Sequence, residues 1–121
     1  MSLYFTIVPE DLRNASRDFL RWVAMDPGVV INVEDEATIY FAGSRDVAKE
    51  ATTGQGLASI RILGRGVFEV DLDGYEESAD HASRYIRMAI TTFPCRIFAG
   101  DTGEELTFVA KENPAVLFTY P

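Results

Sequence analysis

Carboxylates are the most plentiful chemistry in this sequence, and one run concentrates them. Glu69 to Asp80 reads EVDLDGYEESAD, with acids at the first, third, fifth, ninth and twelfth places and glycine at the sixth. An EF-hand loop sets its oxygen ligands at those places and its glycine at the sixth, so calcium binding is the first chemistry to weigh. The surroundings speak against it. Such a loop needs an incoming helix, an apolar eighth residue to tie paired loops together, and usually a bidentate Glu at the twelfth. Here the residues before Glu69 alternate as a strand, the eighth place is Glu76, the twelfth is the shorter Asp80, and no second loop exists to pair with. A strand feeding a helix explains the same letters. Phe68, Val70 and Leu72 point inward, so period two sends Glu69, Asp71 and Asp73 to the outer face. Asp73 and Glu76 then have the spacing of a capping box at the start of a helix. No metal or other cofactor is expected.

Nucleophilic catalysis has too few partners. His81 is the only histidine and Cys95 the only cysteine, so a Ser-His-Asp or Cys-His site would have to use them. His81 falls on a helix where Glu77 and Arg84 share its surface, which reads as a solvated face. Cys95 follows Pro94 and alternates with Ile97, the pattern of a buried small hydrophobe. Paired carboxylates occur in Glu34-Asp35-Glu36 and Glu104-Glu105, but turn residues of this kind are usually solvated and lack a pocket. The glycines of TTGQG and LGRG lack the lysine and the spacing of a phosphate-binding loop. The chain is therefore not expected to be an enzyme.

The elements that would position these residues follow from periodicity. Leu3 to Val8 reads as a strand, and Pro9, Glu10 and Asp11 as the opening of a helix whose Leu12, Ala15, Phe19, Trp22 and Val23 face the core. Arg13, Arg17 and Arg21 form a basic stripe on another face of that helix, most simply neutralised by acids such as Asp18. Asp26-Pro27-Gly28 ends it. Val29 to Val33 and Thr38 to Ala42 form a hairpin around Glu34, Asp35 and Glu36. Ser44 can cap a short helix from Arg45 to Ala51. Leu57 to Leu63 and Val67 to Leu72 form a second hairpin around Gly64-Arg65-Gly66, with Ile60, Ile62, Phe68, Val70 and Leu72 inward. A second long helix runs from about Tyr75 to Phe93 and stops at Pro94. Cys95 to Ala99 and Glu105 to Ala110 make a third hairpin, and Ala115 to Tyr120 a last strand. The order β-α-β-β-β-β-α-β-β-β gives an α+β fold in one domain, an antiparallel sheet of hairpins with both helices packed on one face.

Bulk properties narrow the function. The 121 residues suffice for one core, and a hydrophobic content of 47% argues for a folded globule. A formal charge of −8 repels nucleic acid and attracts basic protein surfaces. A lone cysteine and the lack of a long apolar run point to a reducing, cytosolic setting without a membrane span. If both helices cover one sheet face, the other carries Tyr40, Arg61, Leu63, Glu69 and Asp71 together, a mixed aromatic and charged surface suited to protein binding.

A small acidic chain of hairpins and two helices, with a turn such as FAGDTGEELT near its end, resembles the immunity proteins that bacteria carry against secreted toxins. That resemblance implies a module that blocks one toxin domain, often a basic nuclease, through its acidic surface. The expected contacts are Glu34, Asp35, Glu36, Tyr40, Glu69, Asp71 and Asp73. Two other readings stay open: an assembly subunit that self-associates through the terminal strands LYFTIV and AVLFTY, and a small enzyme with a carboxylate-based site. The oligomeric state is not legible.

Overall fold

A computed structural model describes residues 4–32, 37–50, 56–64, 66–100 and 102–105, without the side chain of Glu50. Six strands and three helices lie in these residues: β1 (Tyr4–Pro9), α1 (Leu12–Ala24), β2 (Val29–Asn32), β3 (Thr38–Phe41), α2 (Arg45–Glu50), β4 (Ala58–Ile62), β5 (Phe68–Asp71), α3 (Glu76–Thr92) and β6 (Cys95–Ala99). The fold is α+β as the periodicity requires. The final strand Ala115 to Tyr120 and most of the partner expected for β6 lie outside the described residues. The start of that hairpin is present, because Phe98 bridges Glu105 and the Ala99 amide donates to Glu104 O at 2.8 Å.

The sheet runs β2-β3-β4-β5-β1-β6, and every neighbouring pair is antiparallel. β1 is therefore an interior strand, held by β5 on one side and β6 on the other. This corrects the idea that LYFTIV offers a free edge for self-association. The reason lies in the long helices. α3 carries the chain from β5 across the sheet to β6 and leaves between them a gap that β1 fills, its Phe5 opposite Val70 and Ala99.

Strict alternation decides the faces. Phe5, Ile7, Ile60, Phe68, Val70 and Ile97 are nearly inaccessible and point to the helices, while the residues between them point away. α1 buries Ala15, Phe19 and Val23 on this inner face, with Leu20 and Trp22 partly covered. α3 buries Ala82, Ile86, Ala89 and Ile90 beside them. Phe19 sits at the centre, its ring 5.0 Å from Phe68 and 6.2 Å from Tyr85. Ser78 ties α3 to the sheet by accepting from the Ala58 amide at 2.6 Å and donating to the Phe41 carbonyl. With both partners fixed, the hydroxyl can be buried.

Two helix starts differ from expectation. Pro9 ends β1 opposite Cys95, and α1 begins at Leu12 with Asp11 as its cap, the carboxylate accepting from the Asn14 amide at 3.1 Å. Pairing with β6 holds Pro9 in the strand, and Glu10 N extends that link to Pro94 O at 2.9 Å. At α3 the capping residue is Tyr75, which makes no side-chain capping bond. Asp73 stands too far back to cap, because Gly74 at φ +141° and the bond from Tyr75 N to Gly56 O reset the chain direction after it. Glu76 and Glu77 in the first turn complement the helix dipole instead. Arg17 lies 3.5 Å from Asp18, in line with a neutralised stripe.

Candidate functional site

The sheet face away from α1 and α3 holds the site. On β5 the outward residues are Glu69 and Asp71, and on β4 they are Ser59 and Arg61. Register then sets two rows across four strands. One row is Tyr40, Ser59, Asp71 and Tyr4; the other is Thr38, Arg61, Glu69 and Thr6. All but Thr6 line a hollow of about 300 Å³. Ser59 is small and stands between larger neighbours, which opens the space in the first row.

The two carboxylates differ in their company. Glu69 is satisfied on both oxygens, with Arg61 Nε 3.4 Å from Oε1 and the Tyr4 hydroxyl donating to Oε2 at 3.0 Å. Burial and the adjoining Glu69 carboxylate raise the Tyr4 phenol above its ordinary value, so it stays a donor. Asp71 accepts from the Asp73 amide on Oδ1 at 2.9 Å. Its Oδ2 has no protein partner among the described residues. The lining thus carries one cation and two anions, and the cation lies against Glu69, leaving Asp71 without an ion-pair partner among the described residues.

The expected contacts Tyr40, Glu69 and Asp71 come together here, with Arg61. Asp73 is exposed just beyond the end of β5, joined to the site through its backbone bond to Asp71. Glu34, Asp35 and Glu36 lie outside the described residues. Tyr4, Ser59 and Thr38 were not expected. Tyr4 follows from the alternation of LYFTIV once β1 is placed next to β5, a neighbour that local sequence does not reveal.

A second polar cluster lies on the helix side and corrects the reading of His81. That residue is 7% exposed, not solvated. Its Nδ1 accepts from the Gly43 amide at 3.0 Å, so the proton resides on Nε2, which is 2.6 Å from Asp26 Oδ2. The Tyr85 hydroxyl donates to the same oxygen at 2.6 Å, and the Gly28 amide to Oδ1 at 2.8 Å. Burial alone would raise the Asp26 carboxyl, but the bonds from Tyr85, His81 and Gly28 outweigh it and hold the group below its ordinary value. Burial and the bond to Asp26 push the Tyr85 phenol well up. Both imidazole nitrogens are engaged, so His81 has none left to accept a proton from a nucleophile. The cluster fastens α3 to the chain on either side of the β2–β3 hairpin. Cys95 is buried on β6, alternating with Ile97 as expected.

No family model, curated protein or solved structure matches the chain. No helix among the described residues is long and apolar enough to cross a membrane.

Proposed function

We propose that this chain is a small acidic protein-binding module of the cytosol that docks a basic protein on its outer sheet face. Toxin neutralisation, the role implied by its likeness to bacterial immunity proteins, is the form of docking we favour. The observation that carries this reading is the hollow itself, where two tyrosines flank a carboxylate, Asp71, that has no ion-pair partner among the described residues. Aromatic side chains around a small charged centre supply contact area, and the charge of −8 steers a basic partner toward it.

The test starts with affinity capture from the native organism and repeats binding with the purified partner. Replacing Glu69 and Asp71 by Lys should lower affinity at least about tenfold, or roughly 1.4 kcal/mol. The same charge change at Asp80 and Glu104, both exposed and neither lining the hollow, should have a smaller effect. Equal losses in the two variants would reduce the interaction to net charge, and no loss in the first would end the assignment of this face.

A further inference from the structure

We propose that the hollow is a receptor for one arginine side chain of the basic partner. This rests on the docking reading and adds to it the chemistry of the central contact. Glu69 is already engaged, with Arg61 3.4 Å from one oxygen and the Tyr4 hydroxyl donating to the other. Asp71 can supply the anion: the Asp73 amide fixes one of its oxygens, and the other has no protein partner among the described residues. The site therefore has room for one added positive charge.

The walls select the kind of cation. Tyr40, Ser59, Asp71 and Tyr4 stand in one row on four adjacent strands. Adjacent strands are about 4.8 Å apart, so the two tyrosines start roughly 14 Å apart with the small Ser59 and the carboxylate between them. A guanidinium is planar, stacks on an aromatic face and meets a carboxylate through two parallel N–H groups; an ammonium offers a point charge and keeps its water. The volume of about 300 Å³ suits a side-chain head and stem rather than a helix.

The probe is the blocked tripeptide acetyl-Gly-Arg-Gly-amide, titrated into the isotope-labelled full chain and followed by amide chemical shifts, with the Lys peptide in parallel. The Arg peptide should saturate in the millimolar range, and its shifts should centre on Tyr4, Tyr40, Ser59, Arg61 and Asp71. The Lys peptide should bind at least fivefold more weakly. Asp71→Asn should weaken the Arg peptide tenfold or more, and Ser59→Leu, which fills the hollow without changing charge, should abolish its binding. The same spectra report whether each variant is folded, and either variant suffices. Shifts that fail to saturate, that spread evenly over acids elsewhere, or that are the same for Lys would overturn the proposal. If the peptide fails while the Lys substitutions at Glu69 and Asp71 still weaken the whole partner, the arginine receptor falls and the docking face stands. If the peptide binds but those substitutions leave the partner unaffected, the docking face falls and the partner's arginine with it, leaving only an affinity of the hollow for the free peptide.

Discussion

Asp26 is where three donors from distant parts of the chain converge: the Gly28 amide on one oxygen, and His81 and Tyr85 on the other. Only a carboxylate offers acceptors on both sides, because an Asn would turn an NH₂ group toward at least one donor. Asp26→Asn should therefore cost about 1–3 kcal/mol at neutral pH, measured by urea unfolding. The pH dependence has a definite direction. Asp26 is held below its ordinary value in the folded chain, so its contribution is present above the unfolded carboxylate pKa, near 4, and is lost as pH falls through the lower folded value. Wild type should lose more stability than the Asn variant between pH 7 and pH 3; equal losses would show that the linkage is absent. The sequence identifies Asp26-Pro27-Gly28 as a helix stop, which it is, and nothing local connects it to His81. One signal was available: His81 and Tyr85 are one turn apart beside Ala82 and Ile86, and so belong to the buried stripe of α3.

Among the elements, those with strong periods are the legible ones. Both described hairpins form, the β4–β5 one with its expected inward residues buried, whereas on the outer strand β2 the alternation leaves Ile31 exposed; α3 at Glu76–Thr92 falls within one residue of its expected ends. Helix starts set by tertiary pairing were not legible, as at Pro9 and Asp73. The outer face was legible as a set of residues, but its Tyr4 wall depends on β1 lying beside β5. The β4–β5 turn offers a comparison between two glycines. Gly66 has φ +86°, and a Cβ there would lie 2.5 Å from Leu12 O at the start of α1. Gly64 has open space around it. Gly66→Ala should lower stability by about 1–3 kcal/mol, whereas Gly64→Ala should stay within about 0.5 kcal/mol of wild type. Thermal unfolding of the two variants checks this, and similar midpoints would mean that the turn does not press on α1.

For the whole molecule, the interior position of β1 sets the order of opening. Phe5 and Ile7 are buried in a strand paired on both sides, whereas β2 is paired only with β3 among the described residues. Native-state hydrogen exchange should find the amides of β1 among the slowest and those of β2 among the fastest in the sheet. Comparable protection of the two would contradict this ranking. The same arrangement bears on how the chain is made. At about 5–20 residues per second, β1 leaves the ribosome on the order of 10 s before β6, and Phe5 must wait for both Val70 and Ala99. Until then an apolar strand destined for the middle of the sheet has two open edges, each able to pair with another nascent copy. Crowded translation is therefore a condition that exposes this fold to pairing between nascent copies.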